Sequence, residues 1–176
     1  HVIKKLREDA ITFLASPEVG NYAKAEYLLA EERYEPGYLI KYVKKLNVKE
    51  QIDLSTCIYQ RVLEMDRHFN LPVKADLIAL MRAGCSKPEF ESDPEFALTH
   101  RNKLITLLVN DEYYNPNEQT KEFARELAVA NSVLVNEFLM HTNLFKPTVP
   151  VELNQAIQYW LTFGNPSTRE IDSVLH

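Results

Sequence analysis

The sequence predicts an all-α fold, and three observations carry that prediction. Apolar residues recur at helical spacing in nearly every segment, while no stretch alternates convincingly as a strand does. Only four glycines occur in 176 residues, against a usual share of ~7%, so the tight turns of a hairpin-rich β fold are scarce. Between Leu127 and Leu139, nine of thirteen residues are apolar, and a helix apolar most of the way round is buried on several sides. The reading is an irregular helical bundle or short superhelical stack of about eight or nine antiparallel helices around a long central helix at residues 118–144. The chain length fits one domain. Residues 1–176 are read as a single helical domain, and as a fragment of a longer chain, because Val2–Arg7 already resembles a helix interior.

Each element has its own reason. Val2, Ile3, Leu6, Ala10, Phe13 and Leu14 share a helical face, and Ser16–Gly20 breaks it. A second helix, residues 21–33, turns Tyr22, Ala25, Leu28 and Leu29 inward. Pro36 in a first turn starts a third through Tyr38, Tyr42 and Leu46, which Asn47 interrupts. Residues 48–69 hold Val48, Ile52, Cys57, Ile58, Val62, Met65 and Phe69 on one broad face until Asn70-Leu71-Pro72. Residues 73–83 follow, with Gly84 where a C-terminal cap belongs. Residues 86–94 read as a polar loop. Asp93-Pro94 is a cap followed by a first-turn proline, opening a helix to Val109, after which residues 110–117 form a second polar loop. The central helix ends at Lys146–Pro150. A helix at 151–163 carries Trp160, and Ser167-Thr168-Arg169-Glu170 is a capping box for a last one.

Charge and composition exclude more function classes than they select. A net charge of −5 offers no general attraction to phosphate backbones, so no nucleic acid is expected as a partner. No run reaches the ~18 apolar residues of a membrane span. Cys57 and Cys85 form no disulfide framework, which with the absence of an N-x-[ST] acceptor predicts a cytoplasmic protein.

Chemistry is equally sparse. Nucleotide-binding glycine motifs, G-x-S-x-G and H-E-x-x-H are all absent. Glu64 with His68 and Glu137 with His141 stand one turn apart, but not at the Glu-x-x-His spacing of carboxylate-bridged bundles. They read as hydrogen-bonded or solvated neighbours. Cys57 reads as inert packing, Cys85 as a loop cysteine, and Asp66-Arg67-His68 as a solvated helix end. Metal, cofactor and catalytic residues are therefore predicted as none. A cleft where His100, Arg101 and a carboxylate converged would argue instead for a free-standing helical enzyme.

Surfaces carry the remaining signal. Lys41, Lys44 and Lys45 fall within one ~100° helical sector, suited to an anionic partner and, less readily, to an acidic membrane surface. Tyr113 and Tyr114 sit in a polar, acidic stretch without helical spacing, and tyrosine, with its apolar body and polar tip, is favoured at interfaces. These five are the predicted partner-binding residues. The function expected is an intracellular helical protein–protein interaction domain, a scaffold or adaptor without chemistry of its own. The alternative is a helical lobe of a larger enzyme, or a regulator of a nucleotide-binding switch protein.

Overall fold

The computed structural model describes the backbone of residues 2–65 and 71–140, together with Gln155, residues 158–162 and Arg169; side chains are described from Glu8, except those of Leu71 and residues 134–140. The fold is all-α. Its helices are α1 (Val2–Ala15), α2 (Asn21–Tyr34), α3 (Tyr38–Val43), α4 (Val48–Glu64), α5 (Leu71–Cys85), α6 (Pro88–Glu91), α7 (Pro94–Tyr114) and α8 (Glu118–Met140). Residues 158–162 are helical as well, and no strand occurs among the described residues. No helix among them is long and apolar enough to cross a membrane. The contacts divide the chain into two compact units, His1–Lys87 and Pro88–His176.

In the first unit α4 is the hub, packing against α2, α3 and α5. Its buried residues are Gln51, Ile52, Leu54, Ser55, Thr56, Ile58, Tyr59 and Val62. At ~100° per residue they cover just over half the circumference, which is why three neighbours fit. α4 starts at Val48, as the sequence implies, and Asn47, expected only as a break, caps it: Asn47 Oδ1 accepts the Glu50 N–H at 2.9 Å, and the Asn47 amide reaches back to the Glu50 carboxylate. Such a cap contributes ~1 kcal/mol.

Glu32 performs a similar task from inside the unit. It is buried, and its two carboxylate oxygens accept the backbone N–H of Gly37 at 2.7 Å and of Leu39 at 2.9 Å. Those are donors that the start of a helix leaves unsatisfied. The helix starts after Gly37, whose φ of 94° is left-handed, rather than on a first turn containing Pro36. A residue with a Cβ is disfavoured in that conformation.

α4 and α5 form an antiparallel hairpin. Thr56 Oγ1 lies 3.7 Å from Met81 Sδ, and one turn nearer the start of α4 Ile52 meets Gly84, one turn further along α5. Gly84 is not the expected cap. It lies within the last turn of α5, buried, where an added Cβ would stand 3.0 Å from Ile52 Cγ1. The helix continues through it, so Cys85 is a buried helical residue rather than an exposed loop cysteine. Residues 66–70, with Asp66, Arg67 and His68, lie outside the described residues.

α1 joins this unit at its C-terminal end. The Phe13 ring lies 5.5 Å from that of Tyr27, and the Tyr42 hydroxyl donates to Leu14 O at 3.3 Å. Burial, reinforced by the Glu31 carboxylate, pushes the Tyr27 hydroxyl up to about 12; burial also raises Tyr42. An unfolded tyrosine titrates near 10. Between these values the folded chain holds the proton that the unfolded chain has lost, so stability is intact below about pH 10 and falls as pH rises toward about 12. In Tyr27→Phe, denaturant unfolding followed across this window should show a shallower fall. An unchanged slope would mean that Tyr27 ionises as easily folded as unfolded.

In the second unit α7 and α8 pack along their lengths, and α6 caps the start of α7. Asp93 Oδ1 accepts the Phe96 N–H at 3.2 Å with Pro94 in the first turn, as the Asp-Pro signal implies. Asn131, fully buried on α8, donates from Nδ2 to Asn102 Oδ1 at 3.0 Å and to Leu98 O at 3.3 Å. These residues are nearly equidistant from the connection at 115–117, so the pair is an antiparallel hairpin. Trp160, also buried, belongs to the same unit.

The long helix is less enclosed than its composition implies. Thr120, Phe123, Ala124, Leu127, Ala128, Asn131 and Ser132 are buried on one half of α8, whereas Val129 and Val133 on the other half are 43% and 57% exposed. Over this stretch α8 buries one face, as an amphipathic helix does. The rest of the apolar run, from Leu134 on, has side chains outside the described set. Residues 141–154, with His141, lie outside it too, as does the Ser167 capping box apart from the helical backbone at Arg169.

Candidate functional site

The most distinctive surface is the tip of the α7–α8 hairpin. α7 does not stop at Val109. Leu108 and Asp111 are buried on its inner face, so packing carries the helix through Asn110, Asp111 and Glu112 despite their weaker helical preference. The Asn115 N–H closes it on Asp111 O at 2.7 Å, and Pro116 follows. The turn is held from both sides. Asn117 donates its N–H to Glu112 Oε2 at 2.6 Å, and its Oδ1 accepts the Gln119 N–H at 2.9 Å and the Thr120 N–H at 3.4 Å. The connection is thus three residues long, not the eight-residue loop implied by polarity.

Tyr113 and Tyr114 consequently stand on the last turn of a helix rather than in a loop. They are 77% and 57% exposed, with rings edge to face and centroids 5.0 Å apart. Beside them a groove of about 520 Å³ runs between the end of α7 and the start of α8, with Thr162 on its margin. Its apolar lining is half-exposed Val109 with the buried Leu108 and Ala124. Glu112, Glu118 and Glu122 supply carboxylates, and Lys121 and Arg125 supply cations, Arg125 lying 3.7 Å from Glu122. Tyr113 follows Val109 by one helical turn, on the flank of this groove.

Lys41, Lys44 and Lys45 belong to the first unit. All three are exposed, Lys41 on α3 and the other two in the turn after it. They are on a different unit from the tyrosines.

His100 and Arg101 are packed against aromatic rings. His100 is buried and stacked on Phe96, centroids 5.1 Å apart. The Arg101 side chain is 3% exposed; its guanidinium sits 5.1 Å over the Phe90 ring and bonds Glu91 at 3.0 Å. A carboxylate does approach Arg101, but aromatic packing surrounds the group, and the pair ties α6 to α7. Among the described residues no three His, Cys, Asp or Glu side chains gather at metal-ligand spacing.

The two tyrosines are legible in the sequence; the groove is not. Only helical register could have revealed it: with Pro116 as the pivot, Leu108 and Glu112 fall opposite Ala124 and the first turns of α8. No protein-family model, curated protein or solved structure matches the chain.

Proposed function

We propose that this chain is an intracellular helical interaction module, a scaffold or adaptor, that holds a protein partner at the α7–α8 tip. One observation carries the reading: two adjacent tyrosines, both largely solvent-exposed, end the helix whose preceding turn lines a groove with Val109 and Glu112. Aromatic residues that combine an apolar ring with a polar tip dominate the energetics of protein interfaces. Tyr113 and Tyr114 stand on the last turn of α7, which is packed against α8, and side chains placed on a packed helix need less ordering on binding than those on a loose loop. The thiols of Cys57 and Cys85 suit a reducing compartment, hence the proposed cytoplasmic location.

Affinity capture from cytosolic lysate tests the reading, with the chain as bait and Tyr113→Ala/Tyr114→Ala as its counterpart. Both rings are exposed, so stability should change by no more than about 0.5 kcal/mol at either position, and lost binding is then lost contact. A protein retained by the parent and absent from the double variant is the expected result. Retention by both baits would move the surface elsewhere, with Lys41, Lys44 and Lys45 the next sector to substitute. Capture by neither would count against an interaction module.

A further inference from the structure

Resting on that reading, we infer that the α7–α8 groove takes a basic peptide segment, one presenting Lys or Arg beside an apolar anchor. The groove volume of about 520 Å³ lies in the range of sites that enclose a few side chains. Half-exposed Val109 offers a small apolar seat, while Leu108 and Ala124, which also line the groove, are buried. Around that seat the carboxylates of Glu112, Glu118 and Glu122 outnumber the cations, and Arg125 already faces Glu122. The same sign extends over the whole second unit. Residues 88–176 carry 13 Asp and Glu against six Lys and Arg, a formal charge of −7, whereas residues 1–87 carry 12 against 14, or +2. An acidic field draws a cationic ligand toward this unit and repels an acidic one. The exposed Tyr113 ring on the groove flank adds a face for an ammonium or guanidinium group, since such cations bind the electron-rich face of an aromatic ring. An apolar seat, a carboxylate rim and an exposed ring together fit a segment with cationic and apolar side chains on one face.

Fluorescence anisotropy tests this with three dye-labelled helical peptides of roughly three turns, about 11 residues. They alternate Leu faces with Arg, with Gln or with Glu. The Leu/Arg peptide should bind best, and should weaken as salt rises toward about 1 M, where screening acts within ~3 Å. Glu118→Gln/Glu122→Gln should weaken it about fivefold, as expected for two exposed ion pairs. Glu89→Gln/Glu95→Gln removes the same charge from the same unit, away from the groove, and should leave affinity within about twofold. Equal loss in both double variants would assign the attraction to the unit's overall charge and overturn the groove. Equal or tighter binding of the Leu/Gln or Leu/Glu peptide would overturn the basic occupant while leaving an interaction module standing. Binding of none of the three would overturn the inference, and lysate capture with the tyrosine variant would then decide the broader reading separately.

Discussion

Phe90→Ala should destabilise the second unit by about 3–5 kcal/mol, the range for deleting a fully buried aromatic ring. Phe90 is completely buried although its helix, α6, is a single turn. Phe96 meets its ring edge-on at 5.8 Å, His100 edge-on at 6.3 Å, and the Arg101 guanidinium lies 5.1 Å over its face. Removing the ring opens a cavity and strips the apolar cover from a buried cation, so two penalties fall on one position. Typical domain stability is about 5–15 kcal/mol, so the variant stands near the edge of folding. Urea unfolding of Phe90→Ala beside Phe90→Leu gives the measurement. Leu refills most of the volume and should recover a large share of the loss. A cost below about 1 kcal/mol for the Ala variant, typical of a partly exposed site, would show that α6 is a detachable cover and not part of the core.

Asn131→Asp should cost about 3 kcal/mol or more at neutral pH, the scale of an uncompensated buried charge. Asn131 is fully buried, and its amide nitrogen faces two acceptors, Leu98 O and Asn102 Oδ1. Its own Oδ1 meets no hydrogen-bond donor among the described residues. The amide orientation follows from this, because the flipped form would aim oxygen at both acceptors. A carboxylate there would do the same while carrying charge. The aspartate would therefore hold its proton in the folded state well above the unfolded value near 3.9. The folded chain then binds more protons than the unfolded one, and stability falls as pH rises. Near pH 4 the protonated side chain can still donate one hydrogen bond, so the deficit against the parent should be smallest there and widen toward pH 7. A deficit that stays flat across this range would place the carboxylate in contact with solvent, contrary to its position between α7 and α8.

How much of this was legible in the sequence depended on how local the determinant is. Asp93-Pro94 is a cap whose effect lies within one turn, and α7 starts where it says; Asn47, legible only as a break, also caps α4. The stretch from Asn110 to Glu112 failed as a boundary signal because the burial of Leu108 and Asp111, a tertiary contact, outweighed local propensity. Four residues give α6 too few positions to show a period, so Pro88–Glu91 passed for loop. Composition made α8 look enclosed, yet Val129 and Val133 are exposed; richness in valine and alanine says how apolar a helix is, not how many neighbours it has. At the candidate site, exposed tyrosines beside acidic residues could be picked from the sequence. The groove could not, because its walls are 16 positions apart along the chain at Leu108 and Ala124, and only the hairpin register brings them together.

The Gly84–Ile52 contact has a consequence for how α4 and α5 tolerate change. With Ile52 carbons 3.0 and 3.1 Å from where a methyl would stand, the spacing of the hairpin is set by an atom that is missing. The two positions divide a single fixed volume: whatever is added at 84 must be taken from 52, or the helices must separate. Substitutions there do not combine additively, and a side chain at 84 that is harmful beside isoleucine becomes acceptable beside a smaller partner. The pair behaves as one joint letter of the sequence, written in two places a hairpin apart.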